Sequence, residues 1–512
     1  MACAIGEGDV HRWEGTQHGP EKLVAVVAHD KYKPELRKEA AMSLVRMPAR
    51  NGVRQGIKLL IDKHKNENGD EEEGALTGLP EEQRSKIIEL MVPELIAGMN
   101  KPAPVPVEGQ PTPADDTIPY KDVTFAMLAH EPPLVTNKDT KLKLEEALIN
   151  WAQVGFEQRL ENGSQQFGVE QMMRLLGARS VMKLPSLMTD SAYRVDRMAG
   201  LVADIGDAPT KLKAAESLVT IAKKVESPEW FEQQKKFVDE HNKKSNIKAS
   251  PEQLQGQVVK LQDRKLNEEL FPAMKRVGQP PVVDYLFTFA ADPKRPEERR
   301  KLALAALEGK PDKNNPKDLE RLYAIVKDES TPDSVKDIAF MRIGELPKEQ
   351  ILPKLYTLFE QPKKWKIRWV AASLVLKTIS TKQIPEFMAK LPATSKSKMG
   401  MTEGLSYGQN IAKMEPPAGE PKPREAITPF LTSKSFGAKM AALGFFYEGK
   451  KADIPVLKPF EEDKEPLPKC DKEDDCQWAC GVAKPGAAEK EMKDISTVGE
   501  LVKLCIIPSM DK

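Results

Sequence analysis

A chain of 512 residues is too long for one ordinary hydrophobic core, so it either divides into several domains or grows by repetition. Its 78 basic and 77 acidic residues leave a net charge of +1, without the basic excess usual in a nucleic-acid-binding protein. No apolar run reaches the roughly 18 to 20 residues that a membrane-spanning helix needs.

The start, Met1-Ala2-Cys3-Ala4-Ile5-Gly6, carries no secretory apolar core as it stands. It resembles the end of a bacterial lipoprotein signal, in which small residues precede a cysteine that becomes lipidated. That resemblance makes Cys3 a lipidation candidate and residues 1–20 an N-terminal membrane tether. The plain alternative is an ordinary Met-Ala start with an incidental cysteine. Leu23, Val24, Val26 and Val27 then form the apolar side of a first short helix, ending near His29 and Asp30. Pro34 suits the first position of the next, where its missing N–H would be unpaired anyway. In that helix a basic residue precedes the paired alanines Ala40 and Ala41, with Leu44 a turn later. Helices over 52–63 and 80–99 follow, separated by the acidic loop Asp70-Glu71-Glu72-Glu73, and complete an N-terminal set of repeats over 21–99.

Pro102, Pro104, Pro106, Pro111, Pro113 and Pro119 are too dense for a helix and favour an extended backbone, so residues 100–120 read as a linker or a strap. Such a segment is also a candidate for docking in a partner's aromatic groove. From 121 to 450 helical patterns dominate. A long helix is expected over 141–160, and another over 251–271, stopped by Pro272. The basic-small-leucine spelling recurs near Arg194 to Leu201, Lys213 to Leu218, Arg299 to Leu307, Lys336 to Ile343, Arg368 to Val375 and Lys439 to Leu443. Residues three and four apart share a helix face, so each copy describes a narrow apolar face where another helix can approach closely. Pro296, Pro316, Pro332, Pro353 and Pro385 punctuate the boundaries.

These copies resemble HEAT-type repeats, in which the second helix of each pair carries a basic residue, paired small residues and a leucine. The resemblance implies an all-α fold: an irregular α-solenoid of helix pairs, covering much of 21–99 and 167–450. It also implies a long surface suited to protein partners.

Four of the five cysteines, Cys470, Cys476, Cys480 and Cys505, lie near the C-terminus. Such a cluster suggests disulfides, a metal site or free thiols. Only Cys476 and Cys480 have zinc-like spacing, and the acidic run between Cys470 and Cys476 fails as a calcium loop because Cys476 and Val482 replace its glycine and glutamate. Disulfides are the favoured reading, making 451–512 a stapled cap on the last repeat and placing the protein in the cell envelope or periplasm. The cytoplasm is the alternative. The six histidines are scattered, and the single His130-Glu131 pair cannot build the iron site of HEAT-type enzymes that use repeated His-Glu pairs. No P-loop, dinucleotide fingerprint, G-x-S-x-G or H-E-x-x-H occurs. No catalytic residue, cofactor or metal ligand is therefore assigned.

Lys363, Lys364, Trp365, Lys366 and Arg368 form a candidate binding patch for an anionic surface, but the favoured reading of Trp365 and Trp369, one turn apart, is packed core with the lysines solvated around them. The reading that results is a non-catalytic protein-binding scaffold. The alternatives are a nucleic-acid-binding HEAT-like protein and an enzyme whose site is spread through the sequence.

Overall fold

The computed structural model describes residues 5–47, 55–65, 68–102, 114–154, 164–192, 194–358, 365–391, 398–447, 449–468, 478–483 and 490–510. Its chain divides into two compact units, Met1–Val282 and Val283–Lys512. The division falls inside the stretch 121–450 that the sequence presents as one array.

The first unit is helical: α1 (Glu7–Trp13), α2 (Gly19–Ala28), α3 (Pro34–Arg46), α4 (Gln55–Ile61), α5 (Glu81–Met99), α6 (Ile118–Ala129), α7 (Lys138–Gln153), α8 (Ser164–Leu176), α9 (Val195–Ile205), α10 (Ala208–Val225), α11 (Pro228–Lys244), α12 (Pro251–Asp263) and α13 (Phe271–Val277). Its one sheet among the described residues is a two-residue pairing of β1 (His64–Lys65) with β2 (Glu71–Glu72). The second unit takes in most of α14 (Pro280–Ala291), followed by α15 (Glu297–Ala306), α16 (Pro316–Lys327), α17 (Asp333–Ile343), α18 (Lys348–Thr357), α19 (Trp365–Thr378), α20 (Ile384–Lys390), α21 (Lys398–Ala412), α22 (Pro423–Ile427) and α23 (Phe436–Phe446). The expected HEAT-like stack of helix pairs is the fold of each unit.

The basic residue in the repeated spelling has a local reason. The last carbonyls of any helix lack intrahelical donors and carry partial negative charge. Arg37, on α3, donates from Nε to the Val27 carbonyl in the last turn of α2, at 2.8 Å. Arg300, on α15, does the same to Ala290 near the end of α14, again at 2.8 Å and again ten residues back. Each then reaches forward, Arg37 to Gln83 Oε1 and Arg300 to Thr331 Oγ1, both at 3.1 Å. One side chain thus closes its own pair and joins it to the next. Lys336 is buried on α17 and lies beside Asp328, the residue that ends α16.

Hydrogen bonds between side chains in the second unit give the repeat length directly. Arg321 to Asp284 spans 37 residues, Tyr323 to Thr357 spans 34, Lys366 to Asp333 spans 33, Arg368 to Glu403 spans 35 and Trp369 to Ser406 spans 37. The first unit shows the same step: Trp151 to Thr117, Arg179 to Glu145 and Lys224 to Asp190 each span 34. Stacked helix pairs of that size are what such a ladder requires.

Four expectations are revised. Within the expected tether, α1 packs on α3: Val10 is fully buried, and Glu14 accepts from Ser43 Oγ at 2.6 Å and Arg46 Nη2 at 2.9 Å. An apolar residue and a carboxylate with two donors hold this segment to the core. The expected linker ends before its last residues, because α6 starts at Ile118 and buries Tyr120. Residues 103–113 lie outside the described residues. Pro272 does not stop its helix, since the turns over Arg264–Leu270 are π-helical and carry Phe271 N–H to Leu266 O, five residues back. That wider turn accommodates a proline ring, which in an α-helix strikes the carbonyl four residues behind it. The same device recurs at Leu501–Ile506, ahead of Pro508. Finally, the C-terminal region includes an antiparallel pair, β3 (Trp478–Ala483) with β4 (Lys490–Ile495).

Candidate functional site

The patch expected around 363–368 does not assemble as a free cationic surface among the described residues. Lys363 and Lys364 lie outside them, as does the side chain of Trp365, the first residue of α19. Lys366 is held by two carboxylates of α17, Asp333 at 3.2 Å and Asp337 at 3.7 Å. Arg368 points inward. It is buried and grips Glu403 of α21 with two bonds, Nη2 to Oε1 at 2.7 Å and Nε to Oε2 at 3.2 Å. Tyr407 donates to the same Oε2 at 3.2 Å. Burial, and then the adjacent Glu403 carboxylate, push the Tyr407 phenol far above its ordinary range, so it stays a neutral donor. Arg368 is a structural residue.

Its neighbour Trp369 goes the other way. A residue one step along a helix is rotated about 100° from its neighbour, so an inward Arg368 places Trp369 on the flank. The side chain remains 40% exposed, and its Nε1–H donates to Ser406 Oγ at 3.3 Å. That bond fixes the indole across the gap between α19 and α21.

A groove of about 680 Å³ opens beside it. On α19 it is lined by Trp369, Val370, Ser373, Leu376 and Lys377, with Ile379 just beyond. Asn410, Lys413, Met414 and Glu415 form the other wall. Positions 369, 373 and 376 follow one face of α19, and 406, 410 and 413 follow one face of α21 and its exit. The links 368 to 403 and 369 to 406 advance together, so the two helices run parallel and their C-terminal ends meet at one end of the groove. Leu376 and Ile379 are buried and form an apolar floor. Ser373 and Asn410 are half-buried, while Lys377, Lys413 and Glu415 are exposed at the rim. The size suits a ligand side chain or a short chain segment.

The helix behind the second wall, α21, is held by a tight contact with α23. A Cβ on Gly408 would lie 1.9 Å from the Ala441 carbonyl oxygen, and one on Gly444 would lie 2.2 Å from that of Leu405. Only glycine at both places lets α21 and α23 approach this closely. Helix α21 lacks the repeat spelling because Glu403 stands where it has a basic residue, and Ser406 and Tyr407 stand three and four positions later where it has small residues. The signal was present as an acid one repeat length after Arg368. The groove residues beyond Trp369 carried no such signal.

The first unit has two smaller hollows, of about 460 and 480 Å³, which share Asp190. Lys224 crosses the first to pair with Asp190 at 2.7 Å. In the second, Lys265 binds Glu269 at 2.7 Å and the Ala192 carbonyl at 3.1 Å. These central charges are satisfied within the unit. No group able to hold a metal ion occurs among the described residues, and no helix among them is long and apolar enough to cross a membrane.

Of the terminal cysteines, Cys470 and Cys476 lie outside the described residues, as does Cys3. Cys480 stands opposite Lys493 in the β3–β4 pairing. Cys505, in the π-helical segment Leu501–Ile506, is buried and disulfide-bonded. The region is joined to the last helix pair through Lys439 of α23, which binds Asp463 at 3.2 Å and Glu465 at 2.5 Å.

No family model matches the chain, and no curated protein matches it. Among solved structures it is similar to the karyopherin Kap121p bound to the SUMO protease Ulp1p, with a TM-score of 0.37 and 11% identity over 90% of this chain and 44% of that one. For Kap121p alone the TM-score is 0.31, at 11% identity over 92% of this chain and 48% of the other. An engineered protein gives 0.23 and 16%, over 83% of this chain and 97% of its own. The chain spans less than half the length of these two Kap121p chains. The likeness is too slight to carry function, and the fold rests on the helix pairing and the hydrogen-bond ladder.

Proposed function

We propose that the chain is a non-catalytic scaffold that binds a segment of a partner protein in the groove between α19 and α21. The observation that carries this reading is Trp369: a large aromatic side chain, 40% exposed and pinned by Ser406, beside an apolar floor. Aromatic residues fixed in one orientation contribute most to protein interfaces, because little conformational entropy is lost when they are covered. Ser373 and Asn410 supply hydrogen-bonding groups on facing walls, as an extended backbone would use. The nucleic-acid alternative draws less support, since Lys366 is already neutralised by Asp333 and Asp337 and Arg368 is buried.

The disulfide at Cys505 supports reading the end of the chain as a stapled cap on the last helix pair. It also favours an oxidising compartment, such as the cell envelope, as the place of action. The test is affinity capture of the full-length protein from its own cells, with wild type and a Ser373→Glu variant compared by mass spectrometry. A stoichiometric protein bound to wild type and lost from the variant is the expected result. Equal capture by both, or capture of nucleic acid alone, overturns the proposal.

A further inference from the structure

We infer that the groove between α19 and α21 takes an acidic segment: a partner stretch whose apolar residue seats beside Trp369 and whose flanking carboxylates meet Lys377 and Lys413. The inference rests on the binding role proposed above and adds the chemistry of the occupant. The rim carries two lysines, Lys377 and Lys413, against one glutamate, Glu415. All three are exposed, and none has a side-chain hydrogen bond or ion pair among the described residues. That sets them apart from Lys366, about three helical turns before Lys377, which two carboxylates of the neighbouring repeat hold.

Both lysines also stand at helix ends, Lys377 in the last turn of α19 and Lys413 directly after α21. A cation there complements the partial negative charge of the helix terminus. Such a role explains a lysine on each helix. It does not explain why both fall on the rim of one groove, on parallel helices whose C-terminal ends meet there. Complementary charge at a rim steers association and selects among partners. A basic segment would set like charges against both lysines. A nucleic acid would turn phosphates toward Glu415 and lay bases on a floor of Leu376 and Ile379 that offers them no hydrogen bonds.

The experiment uses a displayed library of random peptides, selected on the full-length wild-type protein and in parallel on its Trp369→Ala variant. Peptides enriched only on wild type are expected to combine an apolar residue with Asp or Glu on both sides. The best such peptide, made with a fluorescent label, should bind a Lys377→Gln/Lys413→Gln double variant about tenfold more weakly, with the loss reproduced in wild type by added salt. Thermal unfolding of the double variant should stay close to wild type, because exposed lysines contribute little to stability. If the wild-type-specific peptides are neutral or basic, the acidic occupant is wrong and the groove reading stands. If selection yields the same peptides on wild type and Trp369→Ala, both fall. A Ser373→Glu variant with native unfolding behaviour repeats the comparison should Trp369→Ala not fold. An oligonucleotide bound more tightly than any selected peptide would also overturn the inference.

Discussion

Replacing Arg368 with methionine should destabilise the second unit more than any change at the surrounding lysines. The Arg368 and Glu403 side chains are 8% and 7% exposed, so water cannot take over for either partner. Arg368→Met removes both bonds to Glu403 and leaves a buried carboxylate with the Tyr407 hydroxyl as a remaining donor. Breaking one partner out of a buried pair costs about 3–5 kcal/mol, most of it the penalty for the abandoned charge. For a unit the size of residues 283–512, roughly 2–4 °C is lost per kcal/mol, which predicts a fall of about 6–20 °C in its unfolding temperature. The double variant Arg368→Met/Glu403→Leu removes both charges, and buried pairs replaced by apolar groups are often neutral or stabilising. It should therefore recover most of the loss. The assay is thermal unfolding followed by circular dichroism, with amide hydrogen exchange locating the change to α19 and α21. An Arg368→Met protein within about 0.5 kcal/mol of wild type, or a double variant as unstable as the single, would refute the reasoning.

Gly408→Ala should cost roughly 1–3 kcal/mol or more, since its Cβ would fall 1.9 Å from the Ala441 carbonyl oxygen and helix backbones yield little; an unchanged urea midpoint would contradict that contact. Asp328 closes α16 and accepts from the Ser330 and Thr331 hydroxyls at 2.7 Å each, and these bonds, that from Ser330 first, lower its pKa to about 2. A depressed carboxylate stabilises the fold above its unfolded pKa, and that contribution disappears as pH falls through the folded value. Asp328→Ala should therefore be less stable than wild type at pH 7 by a modest margin, with the gap closing between about pH 4 and pH 2; a gap independent of pH would show that the carboxylate is not responsible. Reducing the Cys505 disulfide should raise hydrogen exchange within 478–510 while leaving α14 to α23 helical. Wholesale loss of helix signal on reduction would show that the cap is no separate element.

The helix pairs were legible because the repeated spelling has a mechanical cause. Arg37 and Arg300 both turn back to the end of the preceding helix, so a basic residue ahead of small ones marks the second helix of a pair. Where a different contact ties a helix into the stack, the spelling fails. On α21 an acid, Glu403, accepts from Arg368 one repeat back, so that helix does not carry the spelling. The π-helical turns before Pro272 and Pro508 were equally hidden, since proline normally ends a helix and only tertiary packing decides otherwise. Trp369 was legible as a notable residue but not as an exposed one, because two tryptophans one turn apart look alike until the inward direction of Arg368 is known. The groove itself was out of reach, as its walls lie a full repeat apart in sequence and the place of α21 depends on how closely it meets α23.

The most direct measurement places a photo-crosslinking amino acid at position 373, between the two walls of the groove, in the full-length protein expressed in its own cells. A control carries it at Lys382, an exposed residue outside the groove. The account predicts one dominant polypeptide crosslinked at 373, absent at 382, and lost when Trp369→Ala is added. Labelling that is the same at both positions, or that persists without Trp369, would contradict it.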